Sequence, residues 1–278
     1  MKKLNALFKF VLMLLILSVF TECQNHDAVK KQQPDVVNYD QIGIDHNKGL
    51  DVIFDALKND KASSSGRVSA KDRLDLISSI GTQFTLQNHP ELSTNAIALL
   101  KERAVKSISF SKTYLSGRVN GSKDIYQQLM DSANALLNAN QKFYIQKILT
   151  TMTSEKDINS ILSSFDSIEK EIRSNCSDTE LPVILASLSV AKHSAQYWNE
   201  NYEKWVTEFG GVPSGGRIEL KINWGVVGAA DVAEATIVGG GTIGLGLAPG
   251  IGWAAWGIIT GGAALLTSGG SALVYVAS

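Results

Sequence analysis

Gly239, Gly241 and Gly244 follow the apolar pair Ile237 and Val238 and spell G-x-G-x-x-G. In a dinucleotide-binding turn, such glycines let the backbone approach a pyrophosphate that faces a helix N-terminus. An acidic residue about twenty positions further on then holds the ribose hydroxyls. Here that distance falls on Ile258 to Gly262, and no charged residue occurs anywhere after Glu234. Only 34 residues follow Gly244, too few for the further strand and helix units such a fold needs. The spacing therefore predicts no nucleotide.

Other chemistry-bearing residues are scattered. His26, His46, His89 and His193 are far apart, none has a second His or a Cys at metal-ligand spacing, and HExxH and CxxC are absent. There is no GxSxG, no Walker A loop and no carboxylate pair spaced for acid–base work. His46 shares an apolar stripe with Leu50, and His193 belongs to the helix that carries Trp198, so structural roles are expected for both. The expectation is a protein without catalytic residues, metal or cofactor. A net charge of -1 and a pI near 6.4 give no reason to expect nucleic acid.

Cys23 is the residue with the clearest chemical assignment. Lys2, Lys3 and Lys9 precede the apolar run Phe10 to Leu17, which is followed by Ser18, Val19, Phe20, Thr21, Glu22 and Cys23. A basic stretch and a short apolar stretch form an export signal over residues 1–22, too short for a spanning helix. Cys23 is then the lipidation site, as in a bacterial lipobox, although Glu22 stands where a lipobox has a small residue. Removing residues 1–22, with three lysines and one glutamate, leaves a mildly acidic chain suited to the periplasm or an outer surface. With Cys23 lipidated, Cys176 has no cysteine partner and reads as a structural thiol in a turn between helices.

The elements that position these residues follow from periodicity. Residues 23–38 are polar and read as a tether. Over residues 39–206 apolar positions recur at three- and four-residue intervals, predicting a helical bundle. Ile42, His46, Leu50, Ile53 and Leu57 mark its first helix; Ser69 with Asp72 resembles a capping box for the next, and Pro90 opens a third. After a loop around Gly117 to Ser122, further helices carry Ile125 to Leu136 and Ile145 to Met152. Ile158, Ile161, Phe165, Ile168 and Ile172 define one long stripe. Leu181 to Trp205 define another beyond a turn at Asn175 to Asp178, so these two form an antiparallel pair. Residues 207–224 are a Gly-rich linker, in which Arg217 to Trp224 fits a short strand or a helix start.

Residues 225–278 hold fourteen glycines between Gly225 and Gly270. Gly240, Gly244, Ala248 and Gly252 recur every fourth position, and Gly257 and Gly261 repeat the interval. Small residues one helical turn apart make a flat strip on which another helix can approach closely. Gly240, Gly244, Gly252, Gly257 and Gly261 are thus the expected packing glycines of a helical hairpin that turns at Ala248, Pro249 and Gly250. Ile251 to Val276 carries no charge and is long enough to span a bilayer with tilt. Asp231 and Glu234 fit a span poorly and could face the bundle, cap it or mark its exit from lipid. Lipid, the protein's own bundle or a second copy could cover the strip.

The segments Tyr39 to Asn47 (YDQIGIDHN) with Gly49-Leu50-Asp51, and Ser189 to Trp198 (SVAKHSAQYW), resemble recurring segments of lipoproteins from Bacteroidota. The tail is similar to glycine-zipper domains. The resemblance implies an envelope lipoprotein and brings no activity with it.

The expected protein is all-α, a multi-helix bundle followed by a Gly/Ala-rich apolar hairpin. It is exported and held in the cell envelope, at the outer membrane or in the periplasm, as a non-enzymatic lipoprotein. Its partners are membrane lipid, through Cys23 and residues 225–278, and a second copy through the glycine strip. A secreted, bacteriocin-like antagonist acting on membranes is the alternative.

Overall fold

The chain folds as helices only, with no strand among the described residues of this computed structural model. These are residues 37–63, 70–115, 131, 136–154, 157–209, 224–246 and 252–277. Among the described residues eight helices run in order: α1 (Tyr39–Ser63), α2 (Ala70–Asn88), α3 (Thr94–Leu115), α4 (Ala139–Ser154), α5 (Ile158–Asn175), α6 (Leu181–Phe209), α7 (Trp224–Gly246) and α8 (Gly252–Ala277). Residues 1–36, Ser69, the loop from Gly117 to Ser122, most of Ile125 to Leu136, residues 210–223 and the turn at Ala248 to Gly250 lie outside the described residues. Cys23 and the stretch expected to be an export signal, residues 1–22, lie outside them.

Local chemistry sets several boundaries. Asn138 and Gln141 form a reciprocal cap at the start of α4: the Gln141 amide donates to Asn138 Oδ1 at 2.9 Å, and the Asn138 amide to Gln141 Oε1 at 3.1 Å. Asp157 caps α5 by accepting from the Ser160 amide at 2.9 Å. The third helix starts at Thr94 instead of at Pro90, because Ser93 Oγ accepts the Ala96 amide at 3.3 Å and Pro90 sits in the preceding turn. Cys176 ends α5 as its C-cap and is half-buried, with Asn140 Nδ2 3.5 Å from its sulfur.

The amphipathic helices pack around the Gly/Ala-rich ones, α7 and α8. α8 packs against α7, α3, α1, α2 and α6, and α7 packs against α8, α6 and α4. These helices belong to one compact unit that begins at Val37, so the hairpin is not a separate body. Val232, Ala235, Trp256, Ala264, Leu265 and Leu266 share a single core with Leu50, Phe54, Phe165 and Trp198. Burying apolar area at about 25 cal/mol per Å² drives this arrangement. It also offsets the cost of glycine, which is roughly 1 kcal/mol per residue relative to alanine in a helix.

Gly257 and Gly261 receive α1: a Cβ at Gly261 would stand 3.0 Å from Ile42 Cγ2 and 3.3 Å from the Ile42 carbonyl oxygen. Gly240 faces Leu136 and Leu137. Gly244 lies in α7, and its surroundings fall outside the described residues. Gly252 departs from the expected strip. Its φ is +72° with no atom within 4 Å of a Cβ, so it starts α8 by adopting a left-handed backbone and supports no packing helix.

Among the described residues, no helix is long and apolar enough to cross a membrane. This corrects the expectation that Ile251 to Val276 spans a bilayer. α8 has the length, 26 residues, but its glycines with Thr260, Thr267, Ser268 and Ser271 dilute its apolar character. Two buried hydroxyls bond within their own helices: Thr260 Oγ1 of α8 donates to the Trp256 carbonyl at 2.9 Å, and Thr236 Oγ1 of α7 to the Val232 carbonyl at 2.7 Å.

Candidate functional site

The segments Tyr39 to Asp51 of α1 and Ser189 to Trp198 of α6 lie against each other. Asp40, Gly43, Asn47 and Asp51 stand three or four residues apart on α1 and so share one face; Ser189, His193 and Tyr197 do the same on α6. They meet in register. Asp40 Oδ1 lies 2.8 Å from His193 Nε2, the Gly43 amide donates to Ser189 Oγ at 3.2 Å, and Asn47 Nδ2 donates to the His193 carbonyl at 2.8 Å. Further along, Tyr197 donates its hydroxyl hydrogen to Asp51 Oδ1 at 3.3 Å and accepts from Trp205 Nε1 at 3.1 Å. Burial and the neighbouring acid push the Tyr197 phenol up. The approach is close enough that glycine is required at residue 43, where a Cβ would collide with the His193 ring and come 2.7 Å from the Ser189 carbonyl oxygen.

From this seam the polar groups continue inward to Asp231 on α7. Ser194 Oγ of α6 and Ser268 Oγ of α8 both donate to Asp231 Oδ2, the second at 3.0 Å. His46 Nε2 of α1 stands 3.8 Å from the same oxygen, and both side chains are fully buried. Three helices, α1, α6 and α8, thus place groups around the single carboxyl that α7 supplies. Burial raises the Asp231 pKa to about 7, with Ser194, Ser268 and the nearby Trp198 N–H pulling it back. Burial lowers the His46 pKa to about 4, opposed by Asn47 and reinforced by His193. Between these values both side chains are neutral, so the 3.8 Å approach is a contact of uncharged groups and not an ion pair.

Glu234, one turn further along α7, is buried as well. It accepts from Ser107 Oγ at 2.8 Å, and burial raises its pKa against the pull of Arg103. Asp231 and Glu234 therefore face the bundle, which decides among the three placements the sequence allows.

The glycines of the G-x-G-x-x-G match are interior to α7. Trp256 Nε1 donates to the Gly239 carbonyl at 3.1 Å, and a Cβ at Gly239 would come within 3.1 Å of Trp256 Cζ2. Gly239 thus serves the contact of α7 with α8, whereas Gly241 faces Leu136 and Arg103. His89 has its ring nitrogens 3.5 Å from Asp45 and 3.2 Å from Glu91, apart from His46 and His193. No group of three metal-ligating side chains occurs among the described residues.

Asp231, Ser194 and Ser268 could be singled out in the sequence only in part. An acid in an otherwise uncharged apolar segment needs a partner, and a histidine on an apolar stripe is a natural one; His46 and Asp231 are that pair, 185 positions apart. Compared with known protein families, curated proteins and solved structures, the chain matches none.

Proposed function

We propose that this chain is an exported, non-enzymatic lipoprotein of the cell envelope, held to a membrane through Cys23, with its helical body acting as an interaction or structural module. Residues 1–22 direct export, and residues 23–38 tether the body to the lipid. The Gly-rich tail serves as the internal core of that body. One observation carries this reading: the small residues of the tail are covered by charged helices of the same chain, as where Gly261 seats Ile42 of α1. Membrane attachment then falls to the lipid on Cys23.

The polar seam between α1 and α6 and the Asp231 cluster act as specificity devices that hold α1, α6, α7 and α8 in one register. Ser189, Asn47, Ser194 and Ser268 each find their partner only in that arrangement. A secreted antagonist that lays its hairpin on a target membrane stands second, because α7 and α8 would have to leave this core.

Metabolic labelling with a fatty-acid analogue tests the proposal. The wild-type chain is expected to take up label and Cys23→Ser to take up none. Absence of label from the wild type contradicts it.

A further inference from the structure

Asp231 and His46 face one another as two acceptors. Asn47 Nδ2 donates to the His193 carbonyl, which turns Asn47 Oδ1 towards His46 Nδ1 at 3.0 Å. An amide oxygen only accepts, so Nδ1 carries the imidazole hydrogen and Nε2 presents a lone pair. That lone pair points towards Asp231 Oδ2, which already receives Ser194 and Ser268. An ionised carboxylate facing a lone pair in a fully buried site is unfavourable, and one proton on the pair relieves it.

We propose that His46 and Asp231 form a one-proton pair, with the proton on the Asp231 carboxyl, that makes the buried junction of α1, α6, α7 and α8 insensitive to pH across the mildly acidic range. For an envelope protein whose surroundings change in pH, such a pair keeps the core closed where a lone buried acid or a lone buried histidine would not.

The proton count gives the reason. In the folded chain the pair holds one proton, on Asp231, from about pH 4 to about pH 7. In the unfolded chain it also holds one, on His46, because a free aspartate is ionised above about 3.9 and a free histidine is charged below about 6.5. Equal counts mean no slope of stability with pH. Separately, the two groups have opposite slopes. The raised Asp231 contributes stability that is lost as pH rises towards 7, and the lowered His46 contributes stability that is lost as pH falls towards 4.

One titratable neighbour acts on the pair, His193 on His46, and its charge favours the neutral imidazole. Ser194 and Trp198 of α6 and Ser268 of α8 act on Asp231, and none of them titrates in this range. α4, which also packs on α7, supplies no group acting on Asp231. His46 feels Asn47 and His193, whose own ring is paired with Asp40. On α7 itself, Glu234 faces Ser107 and Arg103 of α3 instead of the pair.

The test is denaturant unfolding of the full-length protein from pH 4.5 to 6.5, comparing wild type with Asp231→Asn and His46→Gln. Relative to wild type, the folding equilibrium constant of Asp231→Asn is expected to rise with pH and that of His46→Gln to fall, each approaching tenfold per pH unit, the value for a one-proton difference. Ratios independent of pH, or slopes of the same sign, overturn the proposal. Imidazole NMR on the wild type decides it without any variant. His46 is expected to stay neutral with its hydrogen on Nδ1 through pH 5 to 6.5, and an imidazolium at pH 6 overturns it.

Discussion

Gly43 of α1 lies directly under the His193 ring of α6, with the Ser189 carbonyl oxygen 2.7 Å from where a Cβ would be. Backbone cannot move aside as the end of a flexible side chain can. Gly43→Ala is therefore expected to destabilise the protein by about 1–3 kcal/mol, the usual cost of overpacking. Gly241→Ala is the control: its nearest neighbours would be 3.5 Å and 3.7 Å away, and alanine is the better helix former by roughly 1 kcal/mol. It should leave stability unchanged or raise it. Thermal melts of the two variants check the ordering.

Asn47 serves two partners, the His193 carbonyl and His46 Nδ1. Asn47→Ala leaves buried polar groups unmatched, and a loss of about 1–3 kcal/mol is expected. Asp40→Asn, at a side chain 69% exposed, should cost less than about 1 kcal/mol. Denaturant midpoints that rank Asp40→Asn as the more damaging would contradict this division between the wet and dry ends of the seam.

Glu234 gives a pH dependence of its own. Burial raises its folded-state pKa, so its contribution to stability is fully present below the ordinary glutamate value and is lost as pH rises through the folded value. Glu234→Gln keeps an acceptor for Ser107 and removes the titration. The advantage of Glu234→Gln over wild type should grow on moving from pH 5 to pH 8 in unfolding experiments. A constant difference would place Glu234 in contact with solvent.

Much of the fold is legible in the amino-acid order. The stripes at Ile158 to Ile172 and Leu181 to Trp205 become α5 and α6, and the Gly/Ala-rich segment becomes α7 and α8, because a period of 3.6 residues and a mostly apolar composition are local properties. What covers the glycine strip is a tertiary matter. Gly261 is small for Ile42 of α1, more than two hundred positions away, and nothing near it in the chain announces that neighbour. The site divides in the same way. His46, His193 and Asp231 each stand out from their surroundings, whereas Ser194 and Ser268 are unremarkable hydroxyls until α6 and α8 bring them to one carboxyl. Gly252 illustrates the opposite error: its place in a four-residue series suggests packing, while its backbone angle shows that it starts a helix.

Replacing Cys23 separates the two ways this protein could hold a membrane. Carbonate extraction of membranes from cells expressing Cys23→Ser reads the tail alone, since the residue proposed to carry the lipid is gone. Complete release of Cys23→Ser into the soluble fraction, with the wild type retained, is the expected result for a hairpin that is the core of its own bundle. Retention of Cys23→Ser in the carbonate-resistant pellet would contradict it and place the tail in lipid.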